Sequence, residues 1–183
     1  MGEIKGTWLV DLVRILRAAK DKNFSAYLTP EDQKIIATKI LASQWYPFDT
    51  YLRVGLAVFK EVGRSNLDAS RAFGRLNMQN LMETYQNLLA PGDPAEGIRK
   101  YDALRGSFFR KIASGTRLVK CGPKEALAAL DLVETDRIGE VTASFAYQLA
   151  GNFEVLVEKC GGKQVTVKLI KAPGGYEFLM TWK

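Results

Sequence analysis

Between residues 141 and 160, Phe145, Ala146, Leu149, Ala150, Phe153, Leu156, Val157 and Cys160 fall on one arc when the chain is wound at 100° per residue. Gln148, Gly151, Glu154, Glu158 and Lys159 fall outside it. The spacing predicts a long helix with one buried side, and Gly161-Gly162 supplies residues that tolerate the left-handed turn closing such a helix. Directly after it, Val165, Val167 and Leu169 alternate with Thr166 and Lys168. Past Ala172-Pro173-Gly174-Gly175, Tyr176, Phe178, Met180 and Trp182 alternate with Glu177, Leu179 and Thr181. A period of two on both sides of a short Gly/Pro loop predicts an antiparallel hairpin. A lone hairpin is marginal in water, so this one needs a surface to pack on, and the preceding helix is the nearest. Residues 138–183 are therefore expected to form a helix laid on strands.

The rest of the chain is helical in pattern up to Gly115. Leu9, Leu12, Val13, Leu16 and Ala19 recur at helical spacing over 7–22. Thr29-Pro30-Glu31-Asp32 starts a second helix, expected to run to about 43, with a hydroxyl cap, a first-turn proline and acids at the positive end. Trp45-Tyr46-Pro47-Phe48 interrupts the pattern, since the residue before proline avoids helical angles. A third helix spans about 51–62, closed by Gly63, and a fourth about 66–89. Gly74, inside the fourth, costs ~1 kcal/mol against alanine and marks either a close neighbour or a tolerated glycine. A fifth helix runs from Pro94 to about 113. Residues 116–121 read as a strand and 124–134 as a second one, although Ala, Leu and Glu there also suit a helix. The expected fold is α/β (α+β) in the order αααααββαββ. About five helices (4–114) precede a small antiparallel sheet of about four strands with one long helix inserted (115–183). With no linker or repeat, 1–183 reads as one domain.

Histidine is absent, and this closes more chemistry than any other feature of the composition. Ser–His and Cys–His nucleophile pairs, imidazole proton transfer and histidine ligation of metal or haem are all removed. Two cysteines do not make a zinc site or a disulfide framework, and Cys160 lies on the apolar arc. No metal or cofactor is expected, and no catalytic residue set stands out. No apolar run approaches the ~20 residues of a membrane span and no signal peptide is visible, so a cytoplasmic protein is expected.

The net charge of +6 is unevenly placed. Arg99, Lys100, Arg105, Arg110, Lys111, Arg117, Lys120 and Lys124 share one window with Asp102 as its acid. Such a patch is either a solvated face or an attractor of nucleic acid or acidic surfaces, and no helix-turn-helix, zinc-finger or RNP-type motif accompanies it. Arg105 falls within the apolar arc formed by Ile98, Tyr101, Leu104, Phe108, Phe109 and Ile112. An arginine there snorkels, pairs with an acid, or holds an anionic group in a pocket. Arg71 raises the same alternatives. Trp45 and Tyr46 either line a cavity or form a packed corner. Arg105, Trp45, Tyr46, Phe109 and Arg71 are thus the candidate ligand-pocket residues.

Three short motifs carry a resemblance: Trp45-Tyr46-Pro47, Ala72-Phe73-Gly74-Arg75, and Glu158-Lys159-Cys160-Gly161-Gly162. With the element order, they resemble a family of myxobacterial and deltaproteobacterial stand-alone domains. That family is in turn similar to the superfamily of haem nitric-oxide-binding domains, 4-vinyl-reductase-type small-molecule-binding domains and TRAPP-type trafficking subunits. The resemblance implies a sensor-like or scaffold-like α/β domain, often dimeric, with an apolar pocket between helices and sheet. It also implies an axial histidine in the haem-binding branch and several cysteines in the vinyl-reductase branch. This chain has no histidine, and only Cys160 matches the second pattern. The expected function is a non-catalytic cytoplasmic module binding a small apolar or anionic ligand or a protein partner in bacterial regulation, without haem. The alternatives are a homodimeric scaffold, and a nucleic-acid or acidic-surface binder acting through residues 99–124.

Overall fold

In the computed structural model, which describes residues 2–112, 115–131 and 139–183, the first strand arises where the sequence shows only a lead-in. β1 (Glu3–Lys5) runs into α1 (Gly6–Ala18), and β2 (Trp45–Pro47) into α3 (Phe48–Ala57). β3 (Phe109–Arg110) completes an antiparallel sheet of order β2-β1-β3, with Ile4 opposite both Tyr46 and Phe109. These elements, with α2 (Pro30–Ala37) and a π-type continuation of α3 over Val58–Val62, form one compact unit, Met1–Ala69 plus Gly106–Ile112. Its core is aromatic: Trp8 meets Phe108 edge-on at 6.1 Å and Phe109 at 5.5 Å, and Phe48 stacks on Tyr51 at 6.0 Å.

The second unit comprises Ser70–Arg105 and Ala113–Lys183. Most of α4 (Leu67–Thr84) belongs to it, with α5 (Pro94–Ala103), α7 (Gly139–Lys159) and an antiparallel sheet of order β4-β5-β7-β6. The strands are β4 (Gly115–Cys121), β5 (Glu125–Asp131), β6 (Thr166–Ala172) and β7 (Gly175–Thr181). Ala128, Phe178 and Leu169 lie side by side on the inner face, and Phe178 meets Phe153 of α7 at 5.2 Å. Phe145, Leu149 and Phe153 are all buried, as the helix-on-sheet reading requires. Both sheet edges are held by charged side chains. Asp102 of α5 accepts the Leu118 N–H of β4 at 3.1 Å, and Arg71 of α4 donates to the Val167 carbonyl of β6 at 2.9 Å.

The α/β class and the order of helices before the four-stranded sheet stand as expected. The fifth helix is shorter than its periodicity suggests. It stops at Ala103, and residues 105–110 become the short helix α6 (Arg105–Phe108) and then β3. Pairing of Phe109 with Ile4, and of Arg110 with Glu3, outcompetes helical propensity there. The second helix ends at Ala37, where Thr38 turns extended (φ −94°, ψ 165°). Trp45-Tyr46-Pro47 is a strand, not merely a break. Residues 124–134 are strand through Asp131; the remainder of that span, the predicted end of the fifth helix at 113 and the predicted start at 138 lie outside the described residues.

The polar arc of α7 turns out to be an interface. Gln148 and Gly151 are buried because α4 crosses there backbone against backbone. A Cβ on Gly74 would overlap the Gln148 carbonyl oxygen, and one on Gly151 would overlap that of Arg71. Gly74 therefore does mark a close neighbour.

Candidate functional site

Trp45, Tyr46 and Phe109 gather on the small sheet, yet not on one face. Alternation along β1 and β2 sends Ile4 and Tyr46 inward and Glu3, Lys5 and Trp45 outward. The Tyr46 hydroxyl accepts the Leu41 N–H at 2.9 Å and donates to Gln44 Oε1 at 3.3 Å. On the outer face Lys5 Nζ lies 4.4 Å and Arg110 Cζ 4.2 Å from the Trp45 ring centroid, within cation–π range. Arg110 also grips Glu3 through Nε (2.8 Å) and Nη2 (3.1 Å), and this holds the Glu3 carboxyl below its ordinary range.

Arg71 and Arg105 belong to the other unit. Arg71 donates to Glu154 and to the Val167 carbonyl, and Arg75 bridges Glu154 (2.9 Å) and Glu158 (2.8 Å). Two of the motifs quoted above, around Gly74 and around Cys160, are thus joined by the Arg75–Glu158 pair. Arg105 lays its guanidinium against Gly115, where any Cβ would collide with it. Beside it, Tyr101 is buried on α5, and burial pushes its phenol above the ordinary range. Beneath α5, a cavity of about 10 Å³ is lined by Tyr101, Leu118, Ala128 and Phe153. That is room for about one water molecule.

The basic window is divided between the two units, and most of its cations have partners from elsewhere in the sequence. Arg117 pairs with Asp131 at 2.5 Å, Lys120 with Glu125 at 3.1 Å, and Arg99 with Glu96 at 3.5 Å. Lys100 donates to the Leu89 carbonyl, while Arg110 and Lys111 converge on Glu3. A groove that sequence reasoning missed opens where α4 ends. It measures about 470 Å³ and is lined by Gln79, Met82, Glu83, Gln86, Leu89 and Lys159. No local period announces it, because its walls come from segments some seventy residues apart in sequence.

Nearly the whole chain superimposes on solved structures of one kind. An H-NOX protein variant from K. algicida in the Fe(II) unliganded form matches 98% of this chain and 97% of its own, at 12% identity and a TM-score of 0.65. A T. tengcongensis H-NOX variant matches 98% of each chain, at 14% identity and 0.64. Cs H-NOX carrying an unnatural amino acid matches 98% and 97%, at 13% and 0.65. The fold is that of H-NOX domains. No family model and no curated protein sequence matches the chain. The distant likeness to haem nitric-oxide-binding domains, expected from the three motifs, is the part of the resemblance these structures support.

The H-NOX fold raises the question of haem, whose iron takes imidazole, thiolate, thioether or phenolate as its protein ligand. Imidazole is absent from the chain. Burial pushes the Cys121 and Cys160 thiols up, away from the thiolate, and does the same to the Tyr101 phenol. Cys160 is further engaged with the Ala90 N–H at 3.4 Å. Met78 and Met180 are wholly enclosed. This donor set does not suit the histidine-ligated haem that the resemblance implies. Among the described residues there is also no cluster of three or more metal-ligating side chains, and no helix long and apolar enough to cross a membrane.

Proposed function

We propose that this chain is a non-catalytic sensor-type binding module that uses the H-NOX fold without haem and acts by recognising a partner at its surface. The observation that carries the reading is a full-length H-NOX fold built from a sequence containing no histidine. Two further features support it. The arginine of the fourth helix is committed to Glu154, and the cavity under Tyr101 is water-sized. Nucleophile–base pairs of the commonest kinds need an imidazole, so a binding role fits this composition better than a hydrolytic one.

Titrating the purified chain with haemin, followed by visible spectroscopy and native mass spectrometry, tests the reading. The expected result is a free-haemin spectrum and an apo mass at every ratio. A sharp Soret band with stoichiometric haem in the native spectrum would refute it.

A further inference from the structure

The outer face of the four-stranded sheet, opposite α7, is built unlike an ordinary solvated face. Strand register sets Lys120, Leu127, Leu179 and Lys168 in one row across β4, β5, β7 and β6, and Ala129, Glu177 and Ile170 in the next. Among the described residues, Ile170 (43% exposed) is one of the few large apolar side chains left open to solvent, and Leu127 and Leu179 beside it are only half-buried. The face therefore has an apolar centre running across the strands.

Its charge is lopsided. On the β4–β5 side, Arg117 and Lys120 are matched by Asp131 and Glu125. On the β7–β6 side, Lys168 is exposed. Lys163 and Lys183 are exposed as well, joined through both backbone hydrogen bonds just past the strand ends (3.0 and 2.8 Å). Among the described residues no carboxylate comes within ion-pair distance of these three lysines.

We propose that this face docks an acidic, amphipathic segment of another protein, with apolar side chains over Leu179 and Ile170 and carboxylates toward Lys163 and Lys168. Three arguments select that occupant. A second copy of the same face would set lysine against lysine across a two-fold axis. An added strand would meet edges already held by Asp102 and Arg71. An anionic bilayer would lie over Glu125, Asp131 and Glu177, which share the face, whereas a protein segment places its charges one by one. The inference rests on the reading above only in taking the chain to be a binding module.

The test uses the isotope-labelled full chain and a synthetic helical peptide with leucines on one face and glutamates on the other. The expected result is amide shifts centred on Leu127, Lys168, Ile170 and Leu179, with affinity falling about tenfold as salt rises from ~50 to ~300 mM. Lys163→Glu combined with Lys168→Glu should weaken binding about tenfold or more, Lys168→Arg should retain it, and Lys34→Glu in the other unit should leave it unchanged. Circular dichroism verifies that each variant is folded. Shifts elsewhere, binding indifferent to the charge reversals, or vesicles of phosphatidylglycerol binding where the peptide does not, would each overturn the proposal. A haem spectrum would sink the haem-free reading and leave this result standing.

Discussion

Asp102 Oδ1 takes the backbone N–H of Leu118 at 3.1 Å, so a helix side chain occupies the hydrogen-bonding position that a neighbouring strand would use. Removing it by Asp102→Ala leaves that donor to water or to another chain. The expected cost is about 1–2 kcal/mol in urea unfolding, with Asp102→Asn losing about half as much because an acceptor remains. Sedimentation of Asp102→Ala should also reveal concentration-dependent self-association beyond that of the parent chain.

Asp32 predicts the acid sensitivity of the N-terminal unit. It is fully buried at the start of α2, and its burial alone would raise the carboxyl pKa. Arg53 (2.6 and 3.0 Å), the Thr50 hydroxyl (2.7 Å) and the Thr29 N–H (2.9 Å) outweigh that and hold it well below the ordinary range. A carboxyl depressed in the folded state contributes stability above its unfolded pKa of about 3.9 and loses it as pH falls through the folded value. Unfolding free energy should therefore decline below about pH 4, and Asp32→Asn should flatten that decline. The same substitution should cost about 2–3 kcal/mol at neutral pH, less than a fully buried pair because Arg53 is partly exposed.

The glycine contact between α4 and α7 sets a third expectation. Gly74→Ala and Gly151→Ala each force the helices apart and should cost about 3 kcal/mol in thermal or denaturant unfolding. Because both substitutions open the same crossing, the double variant should lose less than the sum.

Gly115 and Arg105 form a further pair open to a mutant cycle. Gly115→Ala drives a methyl into the guanidinium and should destabilise by about 1–3 kcal/mol. Arg105→Ala in that background should recover part of the loss, giving a coupling energy of opposite sign to the single effects, read from urea midpoints.

Signals that repeat locally were legible in the sequence. The period of α7, the alternation of β6 and β7, and the Thr29-Pro30-Glu31-Asp32 helix start all lie within a few residues of themselves, and each element forms where its pattern places it, although α2 stops short at Ala37. The three strands of the small sheet were not legible. Each has two or three residues, too few to show a period, and each exists because Glu3–Lys5 finds partners about forty and a hundred residues away. The basic window misleads for the same reason, since Glu3, Glu125 and Asp131, which answer its cations, lie outside it. Among the candidate site residues, Tyr46 and Phe109 face the interior and Trp45 the outside, a division that alternation implies only once β2 is known to be a strand.

Trp45, touched by both Lys5 and Arg110, gives the N-terminal unit an optical reporter of its own. An indole held against two cations emits differently from one released into solvent, and both cations reach it only while β1, β2 and β3 are paired. With Trp8 and Trp182 replaced by phenylalanine, the fluorescence of that one ring would follow the opening of the small sheet in real time, separately from whatever the four-stranded sheet is doing.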